Sequence, residues 1–164
     1  IMQRLTDFAK PDLGREHLEK ISLQELIESV AELAGSQFNL NKIKLQKQIE
    51  DDLSILGNRR QLEEIFFNLI VNACQAMKDG GKITVYAEQQ NGKVKVEIQD
   101  QGAGIPSERL NKIFEPFYTT KETGTGLGLY VTKQLVERNR GKILVESWVN
   151  KGTRFILKFP VGGR

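Results

Sequence analysis

The chain has 164 residues, with 39% hydrophobic and 27% charged side chains and a formal net charge of +3, which suits one globular domain with a real core. No apolar run approaches the roughly 20 residues of a membrane-spanning helix. The single cysteine, Cys74, excludes an internal disulfide, and basic residues scattered among acidic ones argue for a solvated mixed surface rather than a nucleic-acid binder.

In chain order, "IMQRLTDFAK" carries Met2, Leu5, Phe8 and Ala9 at helical spacing and ends against Pro11. The spacing predicts the tail of a helix that begins outside this chain, whose opening Ile1-Met2 reads as the interior of a longer protein. From Ser22, a candidate N-cap, Leu23, Leu26, Ile27, Val30, Leu33 and Ala34 mark an amphipathic helix. Lys42–Glu50 alternates as a half-buried strand does, with Ile43, Leu45 and Ile49 in phase and Lys47 breaking the pattern, and a short run "LSILG" follows. A helix is predicted from about Arg60 to Lys78, then two strands around Asn91-Gly92. The stretch from Gly102 to Gly124 is irregular apart from a short predicted helix, "SERLNKIF". A helix over Leu127–Arg138 and two closing strands, "GKILVESW" and "GTRFILKFP", complete the chain. This order predicts a two-layer α+β sandwich with a mixed, mostly antiparallel sheet covered on one face by about three helices. The irregular stretch is long for a connection inside a compact domain, where such lengths mark functional lids.

Three stretches carry polar or bare backbone where packing alone does not ask for it. The helix "RQLEEIFFNLIVNACQAMK" is apolar around most of its circumference but bears a stripe of Gln61, Glu64, Asn68, Asn72 and Gln75. The stripe faces either water or a polar cleft. "QDQGAGIP" places Asp100 at a strand end with Gly102 and Gly104 behind it, which suits a capped turn or the close approach of a ligand. "GTGLGL" sets Gly124, Gly126 and Gly128 directly before an apolar helix; it suits a hinge or a phosphate site of free backbone N–H groups, with Lys121 and neighbouring threonines adding charge and hydroxyls.

The P-loop, the dinucleotide glycine motif and the protein-kinase signatures are all missing from the sequence. What remains is an ordered set: "NLIVNACQAM", "DQGAGIP", "FEPFYTT", "GTGLGL" and "NKGTRFILKFP". These resemble the asparagine box, first glycine box, phenylalanine box, second glycine box and closing strand of the ATP-binding catalytic domain of sensor histidine kinases. That domain belongs to the superfamily of DNA gyrase, heat-shock chaperones and mismatch-repair ATPases. The resemblance runs from Ser22 onward, and "NAxQAM" with the short "FEPFYTTK" segment looks most like the nitrogen-regulation type.

The resemblance implies a Bergerat-type fold with a flexible ATP lid over Ile105 to Thr123, and ATP and Mg2+ as ligands. Asn72 would hold the magnesium; a neutral amide oxygen suits a hard cation whose other ligands are phosphate and water. Asp100 would accept the adenine amino group, with Gly102, Gly104 and Ile105 passing close to the base. Gly124, Thr125, Gly126, Leu127, Gly128 and Leu129 would wrap the phosphates. Phe114, Thr119, Thr120 and Gln75 would complete the nucleotide site. Lys121, and secondarily Lys112, would neutralise the terminal phosphate. Asn68, Asn72 and Lys121 are the catalytic candidates. Asn68 stands where hydrolytic relatives carry a glutamate, and an amide cannot act as a general base, so transfer is expected in place of hydrolysis. The only histidine, His17, lacks the context of the family's acceptor and reads as a solvated linker residue.

The expected division is therefore 1–14, the end of a dimerisation-domain helix and its linker, and 15–164, the catalytic domain. Implied partners are ATP, the dimerisation and histidine-acceptor domain of a homodimeric parent, and a response-regulator receiver domain, with no nucleic acid and no direct membrane contact in this fragment. A cytoplasmic location follows, whether the parent is soluble or membrane-anchored. A serine kinase of the anti-sigma-factor type and a nucleotide-gated interaction module are the competing readings. Three departures from the family pattern are Asn58 in place of a frequent aspartate, "RNRGK" in place of a His-Gly-Gly turn, and Gln75 in place of a lysine near phosphate.

Overall fold

The computed structural model describes residues 17–37, 42–118 and 128–162. The predicted helical tail at residues 1–10 and a domain boundary near residue 14 lie outside these residues. Ser22 ends strand β1 (Glu19–Ser22) and caps helix α1 (Leu23–Gln37), its Oγ accepting from the Glu25 N–H at 3.4 Å. Strand β2 (Ile43–Ile49) and strand β3 (Ser54–Gly57) follow. Helix α2 spans Arg59–Ala76, with Asn58 as N-cap accepting from the Gln61 N–H at 3.1 Å. Strands β4 (Gly81–Gln90) and β5 (Lys93–Gln99) form the predicted hairpin. Both turn residues, Asn91 and Gly92, have positive φ (53° and 75°), the backbone that matches strand twist. Helix α3 (Gly128–Arg138) and strands β6 (Lys142–Trp148) and β7 (Gly152–Pro160) finish the fold.

The main sheet has five strands in the order β2-β4-β5-β7-β6, with β2 parallel to β4 and every other pair antiparallel. The expected mixed, mostly antiparallel sheet with three covering helices is what forms among the described residues. Its inner face stacks Leu45 on Ile83, Val85 on Ile98, Ile98 on Phe155 and Val145 on Phe155 by register. Lys47 shares that face beside Val85 at the edge strand, and it reaches Glu28 of α1 at 3.5 Å, so its aliphatic stem covers the rim while its charge stays wet.

Two parts of the sequence reading change. "LSILG" is strand β3, and it pairs antiparallel with β1, a strand the alternation did not predict, in a separate two-stranded ribbon. "SERLNKIF" is a 3-10 turn at Ser107–Arg109 continued by successive i→i+3 bonds (Lys112 N–H to Arg109 O, Glu115 N–H to Lys112 O), not an α-helix. Proline at 106 and 116 leaves too short a run for a helix nucleus, and the tighter turns bury Ile113.

Arg140 N–H bonds Glu137 O at 3.0 Å and Gly141 N–H bonds Val136 O at 2.9 Å, a Schellman closure with Arg140 at φ +59°. Asn139, 2% exposed, accepts from the Asn58 N–H at 2.8 Å and donates to Gln61 Oε1 at 2.8 Å and to Leu135 O at 2.7 Å, so it joins the end of α3 to the start of α2. "RNRGK" and Asn58 are thus one network. Left-handed backbone at a residue with a Cβ is strained, so Arg140→Gly is expected to stabilise the chain by about 0.5–1 kcal/mol. The urea midpoint should rise with the slope unchanged.

Candidate nucleotide-binding site

Burial divides the polar stripe of α2. Gln61 belongs to the Asn139 network, Glu64 and Asn72 are half-buried, Gln75 is exposed and Asn68 is 7% exposed. The water-facing reading therefore fails for Asn68. The apolar flanks dictate this phase: Leu62, Ile65, Phe66, Leu69 and Ile70 are all buried, with Phe66 against Phe159 of β7 at 6.1 Å between ring centres. Asn68 Nδ2 donates to Thr132 Oγ1 on α3 at 3.3 Å, and Thr132 donates to Gly128 O at 2.7 Å. The start of α3, with Gly128 exposed and Leu129 half-buried, is thereby brought beside the asparagines of α2.

Asp100 ends β5 and is 5% exposed. Its Oδ1 accepts from the Gly102 N–H at 2.8 Å and the Thr153 N–H at 3.2 Å, while Oδ2 makes no hydrogen bond among the described residues. Burial pushes its pKa above the usual 3.8, and the two amide bonds pull the other way. A buried carboxylate with one occupied and one open oxygen is suited to receiving an external amine.

The loop after Asp100 is glycine-rich for reasons within the protein. A Cβ on Gly102 would meet Ala76 O at 2.6 Å at the end of α2, and one on Gly104, at φ +77°, would meet Trp148 O at 2.2 Å. At Gly128, by contrast, a Cβ would meet nothing within 4 Å among the described residues. The loop is tied to the β6–β7 turn: Asn150 N–H bonds Ala103 O at 2.7 Å, and Ile105 N–H bonds Ser147 Oγ at 2.7 Å. Phe114 lies edge-on to Phe155 at 6.4 Å, with Lys133 Nζ 5.6 Å from its ring centre. Lys112 is exposed. Thr119, Thr120, Lys121, Gly124, Thr125, Gly126 and Leu127 lie outside the described residues.

Asn68 and Gly128 are thus brought together through Thr132, with Asn72 one turn further along α2, while Asp100, Gly102 and Gly104 belong to the loop after β5, which crosses the end of α2 at Ala76. Sequence reasoning missed Thr132, Ser147 and Thr153. Thr132 had a signal, a hydroxyl in the apolar phase between Val131 and Leu135. The other two are legible only once β6 and β7 are paired, where Ser147 Oγ lies 2.8 Å from Thr153 Oγ1.

Fold and site together define an ATP-binding domain of the kind the sequence resembles. Residues 57–163 match the family described as "Histidine kinase-, DNA gyrase B-, and HSP90-like ATPase", and the chain belongs to it. Within the family it is the ATP-binding catalytic domain of a sensor histidine kinase. It is 42% identical to sporulation kinase A of Bacillus subtilis (strain 168) over 98% of this chain and 26% of that protein. To the sensor histidine kinase ZraS of Escherichia coli O157:H7 it is 36% identical, over 98% of this chain and 35% of that one. The catalytic domain of the histidine kinase ThkA superposes with a TM-score of 0.79 at 34% identity, over 88% of this chain and 95% of that domain. The chain thus spans about a quarter to a third of the full-length relatives, which support the histidine-kinase class without selecting the nitrogen-regulation type.

Because the folded pKa of Asp100 lies above its unfolded value, its charge opposes folding at neutral pH, and the penalty fades as pH falls through the folded value toward 3.8. Asp100→Asn keeps an Oδ1 acceptor for both amides but replaces the open acceptor with a donor. It is expected to leave thermal stability at pH 7 unchanged or raised, and to weaken binding of a non-hydrolysable ATP analogue by about 10- to 100-fold in calorimetric titration.

Proposed function

We propose that this chain binds Mg-ATP and transfers the γ-phosphoryl group to a histidine on an upstream dimerisation domain of a homodimeric parent, for relay to an aspartate of a response-regulator receiver domain. The observation that carries the reading is Asp100: a buried carboxylate at a strand end, one oxygen held by two backbone amides and the other open to an exocyclic amine. Such a group prefers adenine, which presents an amine there, to guanine, which presents a carbonyl.

Magnesium fits the donor set as a nucleotide-borne ion. Among the described residues no group of three His, Cys, Asp or Glu side chains could hold a metal alone. Asn72, half-buried one turn beyond Asn68, offers a neutral oxygen that complements phosphate and water ligands. When bound, the ion would offset charge on the phosphates. This chain's own contribution is to hold the base at Asp100, present the α2 amides to the phosphates and place backbone N–H groups at the start of α3. Among the described residues nothing packs where a Cβ on Gly128 would stand, which supports close approach of a ligand there. Lys121 and the glycines before α3 are proposed in the same role from sequence.

Transfer is favoured over hydrolysis because Asn68 cannot take a proton from water, whereas an imidazole acceptor brings its own nucleophile. The division into a linker up to residue 14 and a catalytic domain from residue 15, and a cytoplasmic location, belong to the same proposal.

Incubation with γ-labelled ATP and a separate histidine-bearing helical hairpin of a sporulation-kinase type is expected to label the hairpin. The label should be acid-labile and alkali-stable, as a phosphorus–nitrogen bond is. An acid-stable, alkali-labile label would indicate a serine kinase; tight nucleotide binding with no label would indicate a nucleotide-gated interaction module. Asn72→Ala is expected to abolish the gain in ATP affinity that magnesium confers while retaining binding without the metal, read by titration with and without Mg2+.

A further inference from the structure

We propose that Thr132 is a positioning residue for the phosphate end of the site, fixing the Asn68 carboxamide in one orientation and fastening it to the first turn of α3. The inference rests on the nucleotide reading of the cleft. The observation is a directed chain of two hydrogen bonds. Thr132 Oγ1 donates to Gly128 O at 2.7 Å and accepts from Asn68 Nδ2 at 3.3 Å. A hydroxyl has one proton, and here it goes to Gly128. At this contact Asn68 must therefore present its NH2, and its Oδ1 is turned away from Thr132.

A primary carboxamide is nearly symmetric in shape, so a half-turn exchanges acceptor for donor at constant volume, and only the chemistry of its partners decides between them. Both groups are out of solvent, Thr132 at 0% and Asn68 at 7% exposure, so water does not replace a lost partner cheaply. A helical threonine commonly satisfies itself on the carbonyl four residues back. The second bond is the informative one, because it joins two helices across 64 positions of sequence.

The orientation matters because Asn68 and Asn72 are one turn apart on the same face of α2. Water bound to a phosphate-held cation donates protons and needs acceptors. With Thr132 in place, the oxygen of Asn68 and not its NH2 is the group turned from Thr132; flipped, the amide would present donors there instead. The same hydroxyl holds the Gly128 carbonyl inside the helix, so amide orientation and the start of α3 are secured by one atom.

The test compares the wild-type chain with Thr132→Val, which removes the hydroxyl at similar shape, and Thr132→Ser, which retains it. The first readout is the Asn68 side-chain amide in a 15N-labelled sample without nucleotide. Slow proton exchange and a shifted signal are expected in wild type and Thr132→Ser and should be lost in Thr132→Val. The second is affinity: Thr132→Val should bind the ATP analogue with Mg2+ about tenfold more weakly, with metal-free ADP binding unchanged and full recovery in Thr132→Ser. Equal loss for both nucleotides, failure of serine to rescue, or a wild-type amide signature in the valine variant would overturn the proposal. Should Thr132→Val not fold, the wild-type spectrum decides: an Asn68 amide exchanging as fast as that of exposed Gln90 overturns it. Absence of nucleotide binding by the wild-type chain would overturn the nucleotide reading instead, leaving the exchange measurement to decide Thr132 by itself.

Discussion

The arrangement depends first on how α2 is buried. Its two apolar flanks leave a single rotation about the helix axis in which Leu62, Ile65, Phe66, Leu69 and Ile70 all lose water. That rotation aims Asn68 at α3 and sets Asn72 on the same side one turn later. The amides are not oriented by attraction to a ligand; they are carried into place by several large side chains whose burial outweighs the desolvation of one asparagine. Asn68 then donates from Nδ2 to Thr132 across the two helices.

A second constraint is the crossing of the loop after β5 over the end of α2 and the β6–β7 turn. Gly102 touches Ala76, Gly104 passes over Trp148, and Asp100 accepts from Thr153. The consequence is reciprocal. The loop is held by the sheet and α2, and the β6–β7 turn is held because Asn150 and Ser147 bond that loop. Asp100 sits at the junction with its charge disfavoured by burial, so it would gain from a donor.

Much of this was legible in sequence, and the parts that were not share a cause. The β4–β5 hairpin announced itself through Asn91-Gly92, and α2 through caps and periodicity, because both signals are local. Strand β1 is four residues paired with β3, more than thirty positions on, so its alternation is too short to read. Lys47 looked like a phase error until Glu28 of α1 explained it. The glycines of "DQGAGIP" suit a capped turn or the approach of a ligand by sequence, and their closest contacts among the described residues are Ala76 and Trp148. Sequence marks where bare backbone is required, but the partner that requires it belongs to the tertiary structure.

The charge pattern of the site follows from what it has to hold. A nucleotide brings several negative charges at one end and a polar, uncharged base at the other. Among the described residues Asp100 is the one buried carboxylate, and it stands at the β5 loop, whereas the α2 stripe beside the start of α3 offers the neutral Asn68 and Asn72. Carboxylates at those two positions would repel phosphate across a region of low dielectric and would supply a base for activating water. Neutral amides avoid both effects. In the proposed site they would face the phosphates and a nucleotide-borne metal without competing for a proton, which would leave the nucleophile to be supplied by the acceptor.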